Sequence, residues 1–348
     1  MTNSVVPQIS VCIPTYNGRE HLKECIESIR AQTFEDFEAL ICDDQSADGT
    51  LDFARELAAG DARFRLIKNP RRFGLVGNWN NCIRQARGEW IKFVFQDDVV
   101  MPRCLEMLLA ACQSANKTFG FCERDFIFEN GTSESSRDWF MGHKKRLQRD
   151  YGTAASIQAE QAIKIAAQDP SHNLVGEPTI TLIKKSIFTE LGGFDEALIQ
   201  FCDAEFWSRV MINYGAAFVP ESLAAFRIHA SATTSLNLEK RLFRMGTLDT
   251  LVLRYRFAFG RHFKPVRNPG ITGKSVFSLR KECASDAANV WGQARQNNKT
   301  NDGFNALEEW KSVASHCAGL QTLAWCGRLI HLYRRIKTNI AKPQKAAQ

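Results

Sequence analysis

The sequence predicts an α/β protein: a doubly wound, mostly parallel sheet flanked by helices, followed by a helical C-terminal extension. Three observations carry that expectation. Short apolar runs alternate with helical patterns over the first 115 residues, and strands alternating with helices imply βαβ units around a parallel sheet. Three apolar runs end in polar clusters, Thr15-Tyr16-Asn17, Asp43-Asp44 and Asp97-Asp98. From about residue 237 onward the pattern turns helical and basic.

The elements follow in order. Residues 9–13 form an apolar run ending at Pro14, and Leu22, Ile26 and Ile29 then recur at helical spacing. Residues 39–42 are the next strand, 51–59 a helix and 64–67 a strand. Residues 76–86 read as a helix stopped by Gly88, where glycine is the common terminator. A strand over 90–95 leads into Gln96-Asp97-Asp98, and Pro102 opens another helix. The stretch 124–175 is charged and lacks clear periodicity, so it is expected to be an insertion or mobile loop. Structure resumes with a strand over 178–183, a helix end at 188–191 and the turn Gly192-Gly193. A helix over 203–214 and strands over 216–219 and 224–228 complete the pattern. The expected division is 1–235 for the sheet domain and 236–348 for the basic helical extension.

Composition narrows the class. With 44% hydrophobic and 24% charged residues the chain can bury a sizeable core. A net charge of +7 suits anionic ligands or an anionic membrane surface, with no signature of nucleic-acid binding. The 11 cysteines show neither a CxxC nor a Cys/His metal spacing; Cys12, Cys25 and Cys42 fall in apolar runs and read as small buried hydrophobes. That usage points to a reducing, cytoplasmic setting. The first eight residues are not a signal peptide, and no apolar run approaches the ~20 residues of a membrane span. Residues 318–348 contain Arg328, Arg334, Arg335, Lys337, Lys342 and Lys345 and no acidic residue. On a helical wheel Trp325, Leu329, Leu332, Tyr333 and Ile336 share one side, and Arg328, His331, Arg334 and Arg335 the other. Such a helix either lies on a membrane surface or packs on the catalytic domain with a solvated basic face.

Sheets of this kind bind ligands at the carboxyl ends of their strands, where the polar clusters stand. Asp44 offers acceptor oxygens; Asp97 and Asp98 offer the hard oxygen ligands that suit Mg²⁺ or Mn²⁺ together with a phosphate. Asp203 begins a helix and is a candidate general base. Arg227 and His229 end a strand before the small polar loop 230–235. Each has a structural alternative: Asp43-Asp44 and Asp97-Asp98 as turn or helix caps, Asp203 as an N-cap, His229 as a hydrogen-bonded loop residue, Trp79 and Trp90 as core.

The stretch ISVCIPTYNGREHLKECIESIRAQTFEDFEALICDDQSADGT resembles the opening of family 2 glycosyltransferases. NWNNCIRQARGEWIKFVFQDDVVMP, GGFDE, CDAEFWSRV and FRIHASATT resemble later motifs in the family's order, over roughly residues 8–235. The resemblance implies a GT-A fold and inverting transfer of a hexose-type sugar from a nucleotide diphosphate donor, UDP-linked by family weight. The acceptor hydroxyl would belong to a surface polysaccharide or lipid-linked glycan. By the same match, Pro14, Thr15, Tyr16, Asn17, Asp44, Asn80, Asp98 and Arg227 fall around the nucleotide sugar. Asp97 and His229 fall to the metal, Asp203 to the base, and Glu177 and Asp195 to the acceptor side. The family's Asp-x-Asp has Phe95 at its first position, and the Glu of its Glu-Asp motif is Cys202. These departures keep open a non-catalytic nucleotide-sugar-binding or assembly protein. A nucleotidyltransferase would show a glycine-rich, Lys- or Arg-bearing loop after the first strand, which Pro14-Thr15-Tyr16-Asn17 is not.

Overall fold

The computed structural model describes residues 6–296 and 305–340. In chain order the elements are β1 (Ile9–Thr15), α1 (Leu22–Arg30), β2 (Phe37–Asp43), α2 (Thr50–Ala58), β3 (Phe64–Lys68), α3 (Leu75–Gln85), β4 (Trp90–Phe93), β5 (Val99–Val100), α4 (Cys104–Ser114), β6 (Phe119–Phe128), α5 (Glu134–Gly142), α6 (Arg146–Tyr151), β7 (Ser156–Ile157), α7 (Ala159–Gln168), β8 (Thr181–Lys184), α8 (Ser186–Leu191), α9 (Cys202–Tyr214), β9 (Ala216–Ile228), α10 (Thr233–Lys240), α11 (Asp249–Phe259), α12 (Pro269–Thr272), α13 (Val276–Gln296), α14 (Ala306–His316) and α15 (Leu320–Ile340).

One sheet runs in the order β3-β2-β1-β4-β8-β6-β9-β5, with β7 added to β9. Strands β3, β2, β1 and β4 are parallel, and so are β6 and β9; β8, β5 and β7 pair antiparallel. Every residue of β1 and β2 is buried, as expected where helices cover both faces of a parallel sheet. The polar exceptions find partners inside: Ser10 Oγ donates to Glu38 Oε1 at 2.6 Å, and Arg65 reaches the same carboxylate.

Register places the site. Thr15 of β1 stands opposite Asp43 of β2, so the first two polar clusters lie side by side. Residues 94–98 leave β4 and enter β5, whose Val99 pairs with Ala225 of β9. That pairing sets Asp97-Asp98 beside Arg227 and His229 at the end of β9.

The stretch 124–175 is structured, contrary to the loop expectation. It holds the second half of β6, then α5, α6, β7 and α7. The apolar run FGFCERDFIF is broken by Glu123-Arg124-Asp125, which hid the strand. The first two charges are buried with internal partners: Glu123 accepts from Gln148 N at 2.8 Å, and Arg124 pairs with Glu177 at 2.5 Å. Residues 178–183 open as a 3₁₀ turn over Pro178–Ile180 before β8 begins. The two strands expected over 216–228 are one strand, β9, whose pairing shifts register beside Cys122, Glu123 and Arg124.

The chain divides into two compact units. The first takes in the described residues up to Ile165, with Asn173–Glu196 and Cys202–Ser235, and holds the whole sheet. The second takes in Ala166–His172, Ala197–Phe201 and the described residues from Leu236. Its centre is the buried Asp249, whose Oδ2 accepts the N–H groups of Ile199 (3.0 Å) and Gln200 (2.7 Å) and whose Oδ1 accepts from Arg244 (3.2 Å). Trp310 of α14 packs against Trp291 of α13 with centroids 5.2 Å apart. Among the described residues no helix is long and apolar enough to cross a membrane.

Candidate active site

Asp97 and His229 meet at the ends of their strands: His229 Nε2 lies 3.0 Å from Asp97 Oδ2. The other ring nitrogen, Nδ1, lies 2.8 Å from Ser231 Oγ, which orients the imidazole. Hydrogen bonding to Asp97, opposed by burial, raises the His229 pKa above its ordinary value. His21, at the start of α1, sits against His229 with ring centroids 4.9 Å apart, and His21 Nε2 is 3.1 Å from Glu129 Oε1. His21, Glu129 and His229 each offer a ligand atom, all within 4.8 Å of one another. This His/Glu/His donor set has the chemistry to suit a divalent cation, and Asp97 adjoins it through its hydrogen bond to His229.

Around this pair, three of the residues expected at the donor have internal partners. Asp98 is fully buried; Oδ2 accepts from Thr179 Oγ1 and Oδ1 from Arg227 N at 3.0 Å. Burial, reinforced by the Asp97 charge, pushes its carboxyl well above the usual range. Asp98 thereby braces the strand junction between β5 and β9. Arg227 likewise turns inward: Nε donates to the Asp97 carbonyl at 2.8 Å, and its guanidinium pairs with Glu24 and approaches Glu129 at 3.9 Å. Asn80 holds the Gly193-Phe194 turn. Its Oδ1 accepts Phe194 N at 2.9 Å and its Nδ2 donates to Phe194 O at 3.0 Å. Gly193 permits that approach, because a Cβ there would lie 2.4 Å from Asn80 Oδ1.

The wall built by β1 and β2 is held by a buried amide network. Asp44 Oδ1 accepts Asn69 Nδ2 (2.8 Å) and Phe73 N (2.7 Å), and Oδ2 accepts Gly74 N (2.8 Å). A carboxylate has about four acceptor positions, so Asp44 mainly shapes the loop 69–74. Asn69 is tied in turn to Asn78 at 2.9 Å and Asn81 at 2.8 Å. Pro14 and Thr15 are buried; Asn17 N donates to Ser46 Oγ at 2.9 Å and its Oδ1 accepts Ala47 N at 2.9 Å. Tyr16 and Asn17 are exposed, and the Arg72 guanidinium lies 4.1 Å from the Tyr16 ring centroid. An aromatic face backed by an arginine suits a base and phosphate.

Asp203 lies in the first turn of α9, partly exposed. Asn173 Nδ2 donates to its Oδ2 at 3.2 Å, and Ala204 N to its Oδ1 at 2.6 Å. Burial pushes its carboxyl up to about 7, with the Glu177 charge adding to the rise. Glu177 also adds to the rise at Asp98, so the segment Glu177-Pro178-Thr179 lies near both carboxylates. The Glu177 carboxylate is paired with Arg124. Asp195 follows the Gly192-Gly193-Phe194 turn, which Arg209 clamps by donating to Leu191 O (2.5 Å) and Gly193 O (2.8 Å). The two departures from the family pattern pack against neighbours. Phe95 is half-buried and stacks on Trp79 at 4.8 Å, and Cys202 is buried. No sequence signal marked His21, Glu129, Arg124 or Asn173; the last three lie in the stretch 124–175 expected to be a loop.

A mixed sheet carrying Asp97, His229 and Asp203 at its strand and helix ends is a GT-A-like catalytic fold. The chain belongs to glycosyl transferase family 2, whose model matches residues 10–190, and it is a glycosyltransferase. An uncharacterised protein of Mycobacterium tuberculosis is 32% identical over 232 residues, 66% of this chain and 70% of that one. The GalNAc(5)-diNAcBac-PP-undecaprenol beta-1,3-glucosyltransferase of Campylobacter jejuni is 35% identical over 122 residues, 34% of this chain and 38% of that one. The fold is similar to S. aureus TarS 1-349 in complex with UDP-GlcNAc, at TM-score 0.57 and 16% identity over 91% of this chain and 81% of that one. It is also similar to a Pyrobaculum calidifontis mannosyltransferase in complex with GDP-Man and Mn2+, at TM-score 0.53 and 16% identity, covering 97% and 89%.

Proposed function

We propose that this glycosyltransferase moves a hexose-type sugar from a UDP-linked donor to a hydroxyl of a lipid-linked glycan, with inversion, using residues of the unit that ends at Ser235. The observation that carries the reading is the pairing of Asp97 with His229; a further carboxylate, Asp203, whose pKa burial raises to about 7, opens α9. Asp97 and His229 hold Mg²⁺ or Mn²⁺, with His21 and Glu129 adjoining. When bound, the metal neutralises charge on the departing diphosphate. Tyr16, Arg72 and the loop shaped by Asp44 form the donor wall. Asp203 takes the acceptor proton while the acceptor oxygen attacks the anomeric carbon and the diphosphate leaves from the opposite face. A base whose pKa lies near the working pH is the efficient choice. Asp195 and Glu177 serve the acceptor side.

The lipid-linked acceptor is supported by the Campylobacter relative, whose name carries an undecaprenol-linked glycan. UDP is supported by the UDP-GlcNAc complex of the TarS fold neighbour. All eleven cysteines are free, ten of them buried, which fits a cytoplasmic setting. The test is UDP release from a panel of UDP-sugars and GDP-mannose, with Mn²⁺ and a polyprenyl-diphosphate-linked sugar. Acceptor-dependent release from one UDP-sugar supports the reading. Turnover of GDP-mannose alone, or equal release without acceptor, contradicts it.

A further inference from the structure

Helix α15 has two faces. Leu320, Ala324 and Gly327 are buried, and at Gly327 the helix meets α13 backbone to backbone: a Cβ there would lie 1.8 Å from Ala284 O. On the same helix pair, His331 Nε2 lies 2.7 Å from Ser285 Oγ. These contacts fix the rotation of α15 about its own axis. With rotation fixed, Trp325, Leu329, Leu332 and Tyr333 face outward, 57%, 66%, 55% and 68% exposed. Their spacing is that of one helical stripe. The Arg328 guanidinium lies 5.2 Å from the Trp325 ring centroid within that stripe. Of the two placements open to this helix, the apolar side takes the outer one, and Leu320, Ala324 and Gly327 make the inner side.

Charge selects what covers the stripe. From Trp310 to the end of the sequence stand Lys311, Arg328, Arg334, Arg335, Lys337, Lys342 and Lys345, and no Asp or Glu; Lys342 and Lys345 lie outside the described residues. A second copy would bring these cations together. An anionic bilayer meets both halves of the pattern, with Trp, Tyr and Leu at the headgroup boundary and the cations against lipid phosphate. We propose that the Trp325–Leu329–Leu332–Tyr333 face of α15 docks the protein on an anionic membrane surface. The surface stands on α15 itself; the proposed lipid-linked acceptor gives it a use but is not needed for its test.

The experiment floats the full-length protein with vesicles of phosphatidylcholine alone or mixed with phosphatidylglycerol, beside Trp325→Ser/Leu329→Ser and Arg334→Glu/Arg335→Glu. Wild type should float with the anionic vesicles only, and each double variant should lose about tenfold or more in bound fraction. UDP binding on the same samples should be equal in all three proteins, which shows that the variants are folded. Wild type left in the bottom fraction, or variants that float like wild type, would overturn the proposal. A dimer abolished by Trp325→Ser/Leu329→Ser, without vesicle binding, would also overturn it and assign the face to a second copy. Failure of flotation leaves the transferase reading intact, because that reading is tested by UDP release.

Discussion

His229 Nε2 stands 3.0 Å from Asp97 Oδ2, although 132 positions separate them in sequence. The antiparallel pairing of β5 with β9 brings them together, so the centre depends on that short ladder. The carboxylate and the imidazole are fixed from behind by Arg227 on the Asp97 carbonyl and by Ser231 on Nδ1.

Asp203→Asn separates the base from the helix cap. Turnover should fall on the order of 10²–10⁴-fold, with UDP affinity unchanged. In wild type the turnover number should rise with pH and level off above about 7, the value to which burial pushes this carboxyl. Stability should move oppositely. A carboxyl whose folded pKa lies above its unfolded value stabilises the fold while protonated, and the contribution fades as pH rises from about 4 through 7. The variant should therefore melt no lower than wild type at pH 8. Full turnover in Asp203→Asn, with Asp195→Asn inactive, would exchange the two roles.

Asn80→Ala should act on the acceptor. Removing the clamp on Phe194 loosens the turn that carries Asp195, at a cost of about 1–3 kcal/mol in stability. The acceptor KM should rise and UDP affinity should hold. A selective loss of UDP affinity in titration calorimetry would return Asn80 to the donor side.

Phe95→Asp recreates the family's Asp-x-Asp on paper. Here it removes a ring stacked on Trp79 and adds a charge next to Asp97 and the buried Asp98. Melting should show a loss of about 3 kcal/mol or more, with no gain in turnover. A more active variant would mean that the first acidic position can be restored without repacking.

Gly327→Ala tests the α13–α15 contact by sign. Alanine favours an exposed helix by about 1 kcal/mol over glycine. At a position where its Cβ meets Ala284 O it should destabilise instead, by roughly 1–3 kcal/mol. A raised melting temperature would show that the helices do not approach so closely.

The sheet was legible because β1, β2 and β4 are mainly apolar runs followed by polar clusters, a pattern that buried parallel strands impose. The second half of β6 was not legible, because Glu123 and Arg124 break the run and only their buried partners reveal why. Asp97 and His229 stand at strand ends and Asp203 at the start of α9. Asp98, Arg227 and Asn80 carry polar groups of the right kind but spend them on neighbours, and hydrogen-bond partners far apart in sequence are invisible to a motif. His21 and Glu129 had no local signal; the former precedes a helix and the latter follows a strand that was read as a loop. In α15 the amphipathic pattern was plain, and its direction was not, since that depended on Gly327 packing against Ala284.

The central claim is that Asp97 and His229 hold the metal that receives the nucleotide diphosphate. Titration of UDP with and without Mn²⁺, on wild type, Asp97→Ala and His229→Ala, tests it most directly. Wild type should bind UDP at least about tenfold more tightly with the metal, as expected when phosphate oxygens complete its shell. In both variants the metal should give no gain. Equal affinity in all three proteins, with or without Mn²⁺, would contradict the account.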